Sequence, residues 1–154
     1  MRLALYQPDI PQNTGTILRM AACLGVGVDV IGPAGFDMSD RSLRRAGLDY
    51  LDHVELVRHV DWAAFEGALQ QRRARLVLAT TRGSVPHTTA QYLTSDILLL
   101  GRESAGVPEH VHAAAALRVR IPMLEGLRSL NIAVASALIL GEALRQTGGF
   151  AAEN

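Results

Sequence analysis

Short apolar runs alternate along this chain with stretches in which apolar residues recur every three or four positions. The run "RLALYQ" at residues 2–7 predicts a strand. "NTGTILRMAACLG" follows with helical spacing, Asn13 or Thr14 standing where a cap belongs and Gly25 where the helix should stop. "VGVDVIG" is strand-like, "SDRSLRRAG" predicts a short basic helix, and "HVELV" a half-buried strand. Asp61 is placed to cap an amphipathic helix through "WAAFEGALQQR". Three more strands are predicted at "ARLVLAT", "DILLL" and "LRVRIP". A last helix is expected from about Ser129 to Gln146, stopping at Gly148 and Gly149. No repeat, low-complexity tract or linker breaks this alternation. The pattern therefore predicts one α/β domain over residues 1–154, a mostly parallel sheet flanked by helices.

At 154 residues the chain is long enough for a substantial core, and with 49% hydrophobic and 19% charged residues it reads as globular rather than disordered. The start "MRLALYQPDIP" lacks the apolar stretch and cleavage site of a signal peptide. The run Ile132 to Leu140 is too short to span a bilayer, which needs about 20 residues, so a cytoplasmic protein with no membrane association is expected. Formal net charge is zero, so any hold on nucleic acid has to come from local patches. All 15 basic residues are arginine, and each can offer a bidentate fork to a phosphate.

Cys23 is the only cysteine, which excludes an intrachain disulfide and four-thiolate zinc sites, and its setting in "RMAACLGV" predicts a core thiol. His110 and His112 are two apart, the wrong spacing for a zinc pair on one helix face, and no metal is expected. Ser84 and His87 lack the surroundings of a nucleophile elbow. The glycines of "LGVGVDVIG" follow a helix and precede a strand, the reverse of a dinucleotide fingerprint, and Val30 stands where its third glycine belongs.

The chemistry concentrates where strands end. Open α/β sheets bind ligands beyond the carboxyl ends of their strands, here after "LVLAT", "DILLL" and "RVRIP". In "GRESAGVP", Gly101 and Gly106 permit close backbone approach around Glu103, and Pro108 suits the first turn of a helix. In "IPMLEGLRSLN", the amides near Ser129 and Leu130 are expected at a helix mouth, ready for polar ligand atoms.

Together "IPQNTGTILR", "RRAGLDY", "GRESAGVP" and "IPMLEGLRSLN" resemble the SPOUT superfamily of RNA 2′-O-methyltransferases, in the right order and over essentially the whole chain. Within it the sequence is most similar to the minimal TrmL-like enzymes, which methylate the ribose of the tRNA wobble nucleotide, cytidine or uridine 34. The resemblance implies a SPOUT fold with a C-terminal trefoil knot, S-adenosylmethionine as donor, a homodimer, and tRNA, through its anticodon loop, as partner. Carried over by position, it implies a cofactor pocket of Ala79, Thr80, Gly101, Glu103, Ile121, Met123, Ser129 and Leu130. Asn13, Gly15 and Arg19 form its "NTGxxxR" signature, with Arg19 at the reacting ribose.

A guanidinium is a poor base, so Arg19 is expected to orient the hydroxyl and phosphate, with proton loss late or to solvent; Glu103 and the Asn131 amide are alternatives. Arg41, Arg44, Arg45 and Arg102, with Arg19, are the expected RNA contacts. Relatives often carry an arginine near Ala105 and a tyrosine at Gly141, two departures in this chain. Ala133, Ala137 and Gly141 recur every four residues along the last helix, which predicts a flat stripe for a second copy. The alternatives are a SPOUT enzyme acting on rRNA or another tRNA position, and a catalytically silent RNA-binding protein on the same fold.

Overall fold

The computed structural model describes residues 1–45 and 50–151, with the side chain of Arg45 and residues 46–49 left outside the description. The chain runs β1 (Arg2–Tyr6), α1 (Pro11–Leu24), β2 (Gly27–Ile31), α2 (Asp40–Arg45), a 3-10 turn (Leu51–His53), β3 (Leu56–His59) and α3 (Trp62–Gln71). It continues through β4 (Leu76–Ala79), β5 (Val85–Pro86), β6 (Ile97–Leu100), α4 (Glu109–Ala114), β7 (Leu117–Arg120) and α5 (Ile132–Thr147). The strands form one sheet in the order β3-β2-β1-β6-β4-β7-β5, and every pairing is parallel.

A parallel sheet is covered on both faces, which is why β1, β2 and β6 read as nearly unbroken apolar runs. Alternate residues serve opposite cores. Leu3 and Leu5 pack with Ile17, Leu18 and Ala21 of α1 and with Ile139 and Leu140 of α5. Ala4 and Tyr6 turn the other way, toward Phe65 of α3 and Val111 of α4. One charge lies inside the sheet: Asp29 of β2 is fully buried and receives Arg2 Nε at 2.6 Å, His59 Nε2 at 2.7 Å and Arg72 Nη1 at 2.9 Å. Burial pushes its carboxyl pKa up, but these three hydrogen bonds outweigh that and hold it below the ordinary value.

The order of the last strands forces a crossing. β7 lies between β4 and β5, although β5 follows β4 in the chain, so residues 80–84 must pass over the end of β7. The register agrees, since Ala79 of β4 and Val85 of β5 both align with Val119. The crossing is tight: a Cβ on Gly83 would lie 2.5 Å from the carbonyl carbon of Val119. It is also bonded, with Thr80 N donating to Val119 O at 2.9 Å and Arg120 Nη1 donating to Ser84 O at 2.9 Å.

Several elements differ from the sequence reading. The strand expected at "HVELV" starts later, at Leu56, because residues 51–53 close a 3-10 turn in which Val54 N donates to Leu51 O. The two-residue β5 has too short an apolar pattern to be read from sequence. α1 starts at Pro11 with Ile10 in the cap position, so neither Asn13 nor Thr14 caps it; proline needs no N–H partner at a first helical position. Cys23 is exposed, because the buried stripe of α1 is Thr14, Ile17, Leu18 and Ala21, and residue 23 falls on the opposite side. Asp61 does cap α3, accepting from Ala64 N at 2.9 Å. Among the described residues no helix is long and apolar enough to cross a membrane.

Candidate active site

Because every strand is parallel, the exits of β4, β6 and β7 open at one edge of the sheet, and the N-terminal turn of α1 faces them. They enclose a cavity of about 490 Å³. All eight residues expected to hold the cofactor line it: Ala79 and Thr80 from the first exit, Gly101 and Glu103 from the second, and Ile121, Met123, Ser129 and Leu130 from the third. Asn13, Arg102 and Asn131 border it too. Leu78, Leu100, Val119 and Ile139 give it an apolar floor, and Ile10 closes one side.

The β6 exit is a turn folded back on itself. Arg102 and Gly106 form a two-way bridge, N to O at 3.0 Å and 2.7 Å, with Gly106 at φ +65°. A Cβ on Gly101 would sit 2.9 Å from the carbonyl carbon of Gly106, so both ends of this turn require glycine for different reasons. Pro108 occupies the cap position of α4, one residue earlier than the first helical turn.

α5 starts at Ile132, three residues after the expected start, and its cap is Asn131 rather than Ser129. Asn131 Oδ1 accepts from Ala133 N at 2.8 Å and Val134 N at 3.4 Å, which fixes the orientation of its amide. Its Nδ2 then donates to Asn13 Oδ1 at 2.9 Å, and Asn13 Nδ2 donates to Glu103 Oε1 at 3.4 Å. Three segments far apart in sequence are thereby joined by side-chain hydrogen bonds at the mouth of the cavity. The amide expected as an alternative proton acceptor is thus occupied in capping, and an amide so engaged is a holder of geometry rather than a base.

Asp9, just beyond β1, is the residue that sequence reasoning missed. Its Oδ2 accepts from Arg102 Nε at 3.0 Å and from the Ser104 hydroxyl, and its backbone N–H donates to Glu103 Oε2 at 3.1 Å. The signal was a carboxylate at a strand exit, in "QPDIPQ", at the same sheet edge as the other loops. Asp9 titrates below the ordinary carboxylate range, chiefly through its hydrogen bond with Glu103 and then through Ser104 and Arg102. Glu103 moves the other way, pushed up by desolvation and then by Asp9.

The expected RNA-facing arginines divide. Arg19 does not line the cavity; it is exposed on α1, with its guanidinium 4.8 Å from the centre of the Tyr50 ring and Nη2 3.4 Å from the Tyr50 hydroxyl. Arg102 is held by Asp9 instead of extending outward. Arg44 forms a two-pronged pair with Asp52, at 2.6 Å and 3.2 Å, and Arg41 is exposed on α2. The Arg45 side chain and residues 46–49 of the "RRAGLDY" stretch lie outside the described part.

The stripe of small residues on α5 does not form one open face. Ala133 is buried inside the protomer, whereas Ala137 is exposed and Gly141 partly so. The large apolar side chains exposed on α5 and the loop before it are Val134 and Leu138, with Leu124, Leu127 and Leu130.

This architecture recurs in known proteins. A protein of Beijerinckia indica named tRNA (cytidine(34)-2'-O)-methyltransferase is 60% identical over 149 residues, spanning 97% of this chain and 93% of that protein. A solved structure concerned with the 2-OH methylation of C/U34 on tRNA has a TM-score of 0.87 at 46% identity and covers 94% of each chain. The SpoU methyltransferase AviRb from Streptomyces viridochromogenes, solved in complex with the cofactor AdoMet, has a TM-score of 0.84 at 29% identity, covering 95% of this chain and 60% of that one. Residues 1–141, which include every strand and every residue lining the cavity, match the SpoU rRNA Methylase family, and the chain belongs to that family.

Proposed function

We propose that this chain transfers the methyl group of S-adenosylmethionine to the ribose 2′-hydroxyl of the tRNA wobble nucleotide, cytidine or uridine 34. The observation that carries this reading is the cavity itself, assembled from three strand exits with apolar walls and a hydrogen-bonded rim, in a chain alike over nearly its full length to proteins bearing that name.

The cavity suits the donor. Its volume lies within the range of small-ligand sites, and Ala79, Ile121 and Leu130 give the flat apolar walls that an adenine ring requires. When bound, the sulfonium supplies an electrophilic methyl group. The work left to the protein is positioning, since transfer needs the hydroxyl oxygen about 3–3.5 Å from that carbon and in line. The Asn131–Asn13–Glu103 chain holds the rim from which such alignment is set. Arg19 lies outside the cavity on α1, which suits contact with the ribose and its phosphate better than contact with the donor.

The protein works in the cytoplasm as a homodimer of single-domain protomers, and the knot implied by the family is supported by the crossing of residues 80–84 over β7. The exposed Val134 and Leu138 stripe is the face offered to the second copy. The RNA surface is supplied by the dimer, through the exposed Arg19, Arg41 and Arg44, and suits a small single-stranded target such as an anticodon loop. A second reading, ribose methylation of rRNA, draws on the family's own description.

The test offers labelled donor with total tRNA and with rRNA, then maps the modified nucleotide by mass spectrometry. Label on ribose 34 of tRNA supports the proposal. Label on rRNA, on a base, or at another tRNA ribose overturns the wobble assignment. No transfer to any RNA, with RNA still bound, supports a catalytically silent binding protein.

A further inference from the structure

Two carboxyl groups meet at the cavity rim beside one guanidinium. The Asp9 backbone N–H donates to Glu103 Oε2 at 3.1 Å, and Arg102 Nε donates to Asp9 Oδ2 at 3.0 Å. Most of their oxygens are accounted for. Asp9 Oδ2 takes Arg102 and Ser104, Glu103 Oε2 takes the Asp9 N–H, and Glu103 Oε1 takes Asn13. Asp9 Oδ1 is buried and has no donor. A buried acceptor without a donor is costly, and two ionised carboxylates in contact repel. A single proton removes both penalties, because a carboxyl O–H on Glu103 would donate to the orphaned Oδ1. With that proton the charge count also closes, one carboxylate against one guanidinium.

We infer that Asp9 and Glu103 share one proton, with Glu103 as the neutral donor to Asp9 Oδ1, so that Asp9 is the positioning residue that latches the Gly101–Gly106 turn over the cavity and Glu103 is not the acceptor of the ribose proton. Only the last part rests on the proposed methyl transfer. Around the pair, β1's exit contributes Asp9, the β6 exit Arg102 and Ser104, α1 the neutral Asn13, and the α5 cap the neutral Asn131. The sign follows from the partners. A carboxyl whose neutral form is favoured in the fold keeps its latch below the ordinary glutamate range and loses it as pH rises through the raised midpoint. A catalytic base would do the opposite, gaining rate through its midpoint as it ionised.

The experiment follows the Glu103 side-chain carbon by NMR in glutamate-labelled protein, with Glu103→Gln to assign the signal. In the wild type Glu103 should titrate above the ordinary value of about 4.3. In Asp9→Asn it should fall into or below that value, since the new amide can donate to an ionised Glu103. Calorimetry with S-adenosylmethionine should show affinity dropping several-fold across the wild-type midpoint and staying flat there in Asp9→Asn. A wild-type Glu103 that titrates in the ordinary range overturns the inference, whether or not Asp9→Asn folds; affinity or methyl-transfer rate that rises through the midpoint does the same. Absence of all cofactor binding would count against the proposed function, while the titration still decides the shared proton.

Discussion

Asn131 Nδ2 donates to Asn13 Oδ1 at 2.9 Å, which links the cap of the last helix to the first turn of the first one across 118 positions of sequence. The same Asn131 holds the α5 N-terminus through Ala133 N and Val134 N, so one side chain serves both stability and site geometry. The two roles separate by substitution. Asn131→Ala should lower stability by about 1 kcal/mol, the usual effect of losing a cap. Asn131→Ser should restore most of that stability, because a hydroxyl can cap, yet it cannot reach Asn13. Thermal unfolding checks the first statement. Calorimetry with S-adenosylmethionine checks the second, with weakened binding expected in both variants; full affinity in the serine variant would show that the Asn13 link is idle.

Two glycines are predicted to fail in different ways. At Gly83 a Cβ would meet the Val119 carbonyl carbon at 2.5 Å, where the 80–84 crossing presses on β7 and neither backbone can give way. Gly83→Ala should therefore cost about 1–3 kcal/mol of stability, in the range of overpacked sites. At Gly101 the contact is with the Gly106 backbone, inside a turn at the cavity edge, so Gly101→Val should keep the fold and remove cofactor binding. Chemical denaturation and calorimetry on both variants distinguish the two. A Gly101→Val protein that binds normally would remove this turn from the site.

Arg19 and the cavity should prove separable. Its guanidinium rests on Tyr50 and outside the cavity lining, so Arg19→Ala should abolish methyl transfer while leaving cofactor affinity within a few fold. Arg19→Lys should rescue poorly, since an ammonium lacks the planar fork. Tyr50→Phe keeps the ring under the guanidinium and should retain most activity, whereas Tyr50→Ala should not. Single-turnover rates beside binding isotherms check all four. Equal loss of affinity and rate in Arg19→Ala would make the residue a support of the cavity.

The second copy should pack on the α5 stripe that is still open. Val134 is 50% exposed and Leu138 45% exposed, four residues apart on one face, whereas Ala133 is already buried within its own protomer. If the proposed dimer forms, the wild type should sediment as a dimer at micromolar concentration and Leu138→Glu as a monomer of 16.6 kDa. Ala133→Ser, on the protomer's own core, should perturb stability more than association. A wild-type monomer would overturn the dimer, and a dimeric Leu138→Glu would move its interface elsewhere.

What the chain determined by itself was local and periodic. Buried parallel strands leave unbroken apolar runs, so β1, β2, β6 and the sheet class were readable, and Asp61 before α3 announced its own cap. Glycine-flanked loops at strand exits marked the cavity, and all eight expected lining residues converge there because parallel strands bring their carboxyl ends to one edge. Tertiary structure decided what depends on partners distant in sequence. Asn13 is freed from capping because Pro11 takes the first position of α1, and Asn131 takes the α5 cap, so neither role follows from residue type. Asp9 gains significance only when Arg102, Glu103 and Ser104 fold back onto it from more than 90 positions away. Cys23 turns outward because the sheet, not the composition of α1, chose which stripe to bury. The crossing over β7 was implied only by the family resemblance, since strand order is set by how covered faces pack together and no local pattern encodes it.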